Sequence, residues 1–164
     1  MTRLKSSLGT HFFHDGEKQA INETERYVLD QTRGYYLFDV VPFAAPRMTQ
    51  SDRWRVNPNH EDINKRQRKP VTNYYAYKDL LKLQGNLMRF EIQAVLDVLF
   101  LIPMPDSWSD KKKAAMNGLP CKVKPDTDNL TKAIKDTFCV NDSHIWKEIA
   151  EKRWAYKGSV IIFA

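Results

Sequence analysis

Four side chains late in the chain have the types and spacing for metal-assisted hydrolysis. Asp126 and Asp128 stand two apart in the run KPDTDNL, which spans Lys124 to Leu130, and Lys132 follows one helical turn after Asp128. Asp142 comes later, in the turn Val140-Asn141-Asp142-Ser143. Splitting a phosphodiester brings an anionic nucleophile onto an anionic phosphate, and bare carboxylates repel that substrate. A magnesium ion reverses the sign. It binds hard carboxylate oxygens and keeps positions for water and phosphate oxygen, then activates water and stabilises developing charge. The pattern suggests Asp126, Asp128 and Asp142 as ligands of Mg2+, with Mn2+ as a substitute. Lys132 would neutralise charge in the transition state or assist the leaving oxygen.

These residues need elements to place them. Pro125 favours an extended Lys124, and the apolar spacing predicts a helix over Asp126 to Phe138. At roughly 100° per residue, Asp128 and Lys132 share a face about 40° apart. Leu130, Ala133, Ile134 and Phe138 form an apolar stripe that turns the other way. If the chain reverses at the turn, Asp142 comes back toward the open face. A plainer reading uses the same residues. Asp126 and Asp128 could only cap a helix, Lys132 could only pair with Asp128, and Asp142 could only shape a turn.

Upstream, Tyr35 to Val41 (YYLFDVV) reads as a strand between Gly34 and Pro42. A long irregular stretch follows, of the kind that is functional or mobile. Val71 to Leu87 reads as a helix on the spacing of Tyr74, Tyr77, Leu80, Leu81 and Gln84, ended by Gly85-Asn86. Arg89 to Ile102 reads as a strand stopped by Pro103 and Pro105. Ser107 to Asn117 reads as a short helix capped by Ser107 and stopped at Gly118. His144 to Tyr156 is expected as a strand, with Ser159 to Ala164 as its hairpin partner. The fold class is α+β, a mixed sheet flanked by helices in the order β-α-β-α-β-β. Residues 1–34 form an N-terminal extension of unassigned role, with a short helix expected over Asn22 to Thr32, and residues 35–164 form the domain.

The segment KPDTDNLTKAIKDTF, followed by NDSHIWKEIAEKRW, resembles the signature of the RusA family of Holliday junction resolvases. In that family an R/K-P-D-x-D-N-L-x-K-A-x-x-D-A-L stretch precedes a D-D-x-Q-I turn and a basic strand. Asp126, Asp128, Asn129, Leu130, Lys132, Ala133 and Asp136 stand at matching spacings, and Asp142 matches the second acid of the turn. VPFAAPRMTQSDRW, KPVTNYYAYKDLL and MPDSWSDKKKAAMNG resemble upstream stretches of phage-type members more loosely. The resemblance spans about Tyr35 to Ala164. It implies an endodeoxyribonuclease that resolves four-way junctions as a homodimer, with Asp126, Asp128 and Asp142 on magnesium and Lys132 catalytic. Two positions depart from the pattern. Asn141 replaces the first acid of the turn, and His144 replaces the glutamine. Asn141 keeps an oxygen that can hydrogen-bond in support of the ligands.

The formal net charge is +6 over 164 residues, which suits a polyanionic partner. Candidate DNA-contacting residues are Arg47 and Arg53 with Arg55, then Lys65, Arg66, Arg68 and Lys69, then Lys111, Lys112 and Lys113, and Lys124. Each could neutralise phosphates or simply be solvated. Trp54 and Trp108 could stack on unpaired bases or pack in the core. Cys121 and Cys139 form no C-x-x-C pair, which fits a reducing compartment. No signal-peptide or membrane-spanning pattern stands out, so a cytoplasmic protein is expected. Nucleotide-binding and zinc motifs are lacking. The alternative to the nuclease is a non-catalytic protein that binds branched or single-stranded DNA. A nuclease of flaps or RNA is a third reading.

Overall fold

The computed structural model describes residues 34–164, Val56 excepted. Residues 1–33 of the extension, with the helix expected over Asn22 to Thr32, lie outside the described residues. The elements run β1 (Tyr35–Phe38), α1 (Lys69–Met88), β2 (Val95–Pro103), α2 (Asp110–Met116), α3 (Thr127–Phe138), β3 (Lys147–Ala155) and β4 (Ser159–Phe163), with 3-10 turns at Gln50–Arg53 and Ile63–Lys65. The α+β expectation holds, with short α2 standing between the two long helices of the anticipated order.

The strands form one mixed sheet in the order β1-β4-β2-β3. β2 runs parallel to β3 and antiparallel to β4, which also pairs antiparallel with β1. The expected β3–β4 hairpin does not form. Composition explains why. β4, Ser-Val-Ile-Ile-Phe, is buried on nearly every residue and belongs inside a sheet. β3, Lys-Glu-Ile-Ala-Glu-Lys-Arg-Trp-Ala, exposes its first half and suits an edge, where charge discourages further pairing. The chain steps from β3 across the end of β2 into β4 at Gly158. A side chain there would come within 3.0 Å of the Val41 backbone and 3.2 Å of Pro103.

The main core lies between one sheet face and helices α1 and α3. Leu96, Val98, Phe100, Ile162 and Phe38 from the sheet meet Leu81, Leu130, Ala133 and Ile134. The other sheet face carries a smaller cluster of Leu99, Leu101, Ala155 and Ile161. β2 is therefore apolar on both faces, as a central strand must be.

Several expected boundaries moved: β1 ends at Phe38 and not Val41, and β3 begins at Lys147 and not His144. α1 begins at Lys69 with Pro70 in its first turn, which suits proline. It also runs through Gly85 to Met88 and ends at Arg89, whose φ of 53° is the left-handed cap. Gly85 is no stop signal. Phe138 of α3 lies over it, and a Cβ would sit 2.7 Å from the Phe138 ring. Phe138 is itself held by Phe38 and Phe90, with ring centroids 5.7 and 4.8 Å away. Gly85→Val should therefore overpack this contact and lower stability by about 1–3 kcal/mol, measurable by denaturant unfolding. Leu80, placed on the expected inner face, is half exposed.

Residues 89–94 are not strand, so β2 is shorter than anticipated. Phe90 turns into the aromatic cluster with Tyr36 and Phe38, and the chain needs that loop to enter the sheet at Val95. α2 is capped by Ser109, not Ser107; the Ser109 hydroxyl accepts from the Lys112 amide at 3.4 Å. Trp108 has turned inward onto Trp154, centroids 5.1 Å apart, and the helix starts only after it.

Candidate active site

The acidic run is delivered along the outer edge of β3. Residues 118–121 lie along that edge. The Gly118 amide donates to Trp154 O at 2.9 Å, the Trp154 amide to Leu119 O at 3.0 Å, and the Cys121 amide to Lys152 O at 2.9 Å. Lys152 then reaches forward from β3. Its ammonium donates to Val123 O at 2.5 Å and Pro125 O at 2.6 Å. The Lys124–Pro125 peptide between them is cis. Two carbonyls immediately ahead of Asp126 are thus tied to the sheet by one side chain. Its identity was not legible in the sequence, because the contact joins residues 27 apart.

α3 begins at Thr127, with Asp126 as its N-cap residue in extended conformation. The Asp126 carboxylate makes no capping hydrogen bond, which leaves its oxygens facing solvent. Asp128 is exposed in the first turn, and Lys132 is exposed one turn on. Leu130, Thr131, Ala133, Ile134 and Thr137 are buried. The split between an apolar inner face and an outer Asp128–Lys132 face is the one the spacing predicts. Thr131 and Thr137 fit the inner face because their hydroxyls donate back to Thr127 O and Ala133 O, at 2.8 and 2.6 Å.

Asp136 braces the other flank. Its carboxylate accepts from the Tyr74 hydroxyl at 2.8 Å, joining α3 to α1. Burial, then the Asp136 carboxylate, push the Tyr74 phenol up from its ordinary range, so it remains a donor. Near the helix start, the Ala45 amide donates to Asn129 O at 3.0 Å and holds the entry segment in place.

Asp142 is exposed in the turn after α3. Asn141 builds that turn: its side-chain oxygen accepts from the Ser143 amide at 3.0 Å. His144 Nδ1 lies 3.0 Å from Asn141 O. Asn141 thus acts as a hydrogen-bond acceptor within the turn. The Asp142 carboxylate lies 3.8 Å from the Lys135 ammonium, which also bonds Glu148 of β3 at 2.9 Å. Glu148 first, then Asp142, raise the Lys135 pKa.

Lys135 is seven residues beyond Asp128, so the two share a helix face about 10 Å apart along the axis. Asp142 is thus tied to a lysine about two helical turns beyond Asp128. Among the described residues, no group of three or more acids, histidines or cysteines stands at metal-binding spacing. Asp126 and Asp128 come from one helix entrance, while Asp142 is engaged by a lysine nearby.

The basic candidates fall into different settings. Arg68 bonds both oxygens of buried Asp52, at 2.8 and 2.5 Å, and Arg47 O at 3.0 Å. Arg68, then the Thr49 amide, hold the Asp52 carboxyl well below the usual carboxylate range. This pair anchors the long irregular stretch to the start of α1. Arg47, Lys65, Arg66, Lys69, Lys111, Lys112 and Lys124 are exposed, and Lys113 is half-buried. The Lys65 ammonium lies 4.0 Å from Asp62. Lys112 lies over the Trp108 ring, 4.0 Å from its centroid. Trp108 is thus a packing residue, whereas Trp54 is 84% exposed. The side chain of Arg53 lies outside the described residues. Cys121 is buried and Cys139 half-buried, both free.

An α+β domain with paired acids and a lysine on the open face of one helix has the make-up of a phosphodiester hydrolase. The sequence profile described as Endodeoxyribonuclease RusA matches residues 46–163, well over half of the chain. The protein belongs to the RusA family and is an endodeoxyribonuclease, a hydrolase of DNA phosphodiester bonds. Searches of curated proteins and of solved structures return no match. Among the described residues, no helix is long and apolar enough to cross a membrane.

Proposed function

We propose that the protein is a Mg2+-dependent, structure-selective endodeoxyribonuclease that resolves four-way DNA junctions by paired phosphodiester hydrolysis. The observation that carries this reading is the exposed face of α3. It presents Asp128 and Lys132 beside the uncapped Asp126, in a chain of the RusA family. Exposed, hard carboxylate oxygens at one helix entrance suit a hard divalent cation. Asp126, Asp128 and Asp142 would hold it. When bound, the ion supplies charge neutralisation and activation of water. Mn2+ fits the same oxygen ligands.

The chain's own residues do the rest. Lys132 offers a mobile positive charge to the scissile phosphate. Lys135 holds the Asp142 carboxylate on the α3 side of the turn. The exposed Lys124, Lys69, Arg47, Lys65, Arg66, Lys111 and Lys112, with Arg53 and Lys113, form the surface for DNA phosphates. Arg68 contributes by fixing the Arg47 segment. A homodimer would place two such sites in twofold relation, as two symmetric incisions require. A protein of this kind works in the cytoplasm, in recombination and repair or in a phage cycle.

Lys152 serves as a positioning residue. Lys152→Met frees the carbonyls of Val123 and Pro125, and magnesium affinity should fall about 10- to 100-fold. Titration calorimetry measures this directly, and unchanged affinity would remove Lys152 from the account.

A second reading is a protein that binds branched or single-stranded DNA without cutting it. The Lys135–Asp142 contact favours it, since a lysine there competes with a cation for the carboxylate. A labelled four-way junction, incubated with and without magnesium, separates the two. Paired nicks only with metal support the nuclease, and retardation without nicks supports the binder.

A further inference from the structure

We propose that Trp146 is a stacking platform for an unpaired nucleobase of the DNA substrate, set beside the turn that carries Asp142. The inference rests on the reading of Asp142 as part of the cutting site.

The tryptophans divide sharply. Trp154 is 6% exposed, and Trp108 packs against it. Trp146 is 75% exposed and takes part in none of the ring pairs among the described residues. An indole is a large apolar surface to leave in water, and rigid exposed aromatics commonly mark contact sites.

The backbone under this ring is fixed. The Trp146 amide donates to Ala94 O at 3.0 Å, and the Ile145 amide donates to Asp142 O at 3.0 Å. β3 starts at the next residue, with Lys147 opposite Val95. Trp146 is thus held by the same turn that holds Asp142. Trp146 itself precedes β3, and its neighbour Ile145 packs against the main core. The indole therefore stands at the entrance to β3, four residues after Asp142 and clear of the core.

The exposed Lys147 follows it directly in the chain, where it can meet a nucleic-acid phosphate. A duplex hides the flat faces of its bases in the stack. Only an unpaired or splayed base at a branch point offers one, and aromatic stacking accepts any base. Trp146 would thereby favour branched DNA over plain duplex without reading its sequence.

The test uses the full chain and a four-way junction carrying 2-aminopurine at the branch point. Wild type should change the probe's fluorescence on binding. Trp146→Ala should lose that change and weaken junction binding about 5- to 100-fold, with duplex binding unchanged. Trp146→Phe should keep most of both. Trp54→Ala is run in parallel. Junction affinity and probe signal unaffected by Trp146→Ala overturn the proposal. So does a signal lost with Trp54→Ala and kept with Trp146→Ala. Magnesium-dependent nicking by wild type is scored separately. If wild type nicks and Trp146→Ala changes nothing, the platform fails and the nuclease stands. If the probe signal depends on Trp146 and no nicking occurs, the platform stands and the nuclease reading fails.

Discussion

Asp128→Asn should cut magnesium-dependent junction cleavage by about 10³-fold or more, because metal charge stabilisation is worth several kcal/mol and each 1.36 kcal/mol is tenfold in rate. The side chain is exposed in the first turn of α3 and packs against nothing in the core. The substitution keeps size and shape and removes one charge, so the fold should be unaffected. Junction binding should persist, since the phosphate contacts proposed above use lysines and arginines elsewhere. A gel-shift assay beside a cleavage assay reads both. Cleavage at the wild-type rate would count against the nuclease site as drawn. Asp126→Asn should behave alike, as should Asp142→Asn.

Lys132→Met should lower kcat by about 10²- to 10³-fold, the usual cost of removing one pre-placed group that stabilises transition-state charge. KM should change little, because one exposed lysine is a small part of the phosphate-contacting surface. The methylene stem is retained, so helix packing is preserved. Single-turnover cleavage at saturating protein isolates the chemical step. A change confined to KM would make Lys132 a binding residue only. The two substitutions also separate from each other. Asp128→Asn should weaken magnesium binding, whereas Lys132→Met should leave it intact or strengthen it by removing a nearby positive charge.

The parts of the structure legible in the sequence are those governed by local periodicity. α3 was readable to within a residue, because Leu130, Ala133 and Ile134 fall on one face while Asp128 and Lys132 fall on the other. The apolar run of β2 announced a strand, though not its central place in the sheet. What escaped depends on distant partners. Gly85 looks like a helix stop, and only the Phe138 ring above it shows why α1 continues. The Lys157-Gly158 turn looks like a hairpin, and only the burial of β4 on both faces places it between β1 and β2.

The same division runs through the candidate site. The acids and Lys132 announce themselves by type and spacing. Their supports do not. Lys152 is one basic residue among many in β3, and nothing local says that it grips the carbonyls ahead of Asp126. Lys135 occupies an unremarked position of α3, yet it bridges Asp142 and Glu148. Trp146 is visible as a residue but not as an exposed one, since its exposure depends on how the turn after α3 enters β3. Arg68 looks like one more phosphate contact and proves to be tied to Asp52.

The most direct measurement is the position of Mn2+ in crystals of the full chain, found from its anomalous scattering. Carboxylate oxygens of Asp126, Asp128 and Asp142 around one ion are expected. An ion held elsewhere, or one that leaves Asp142 on Lys135, would contradict a site built from all three.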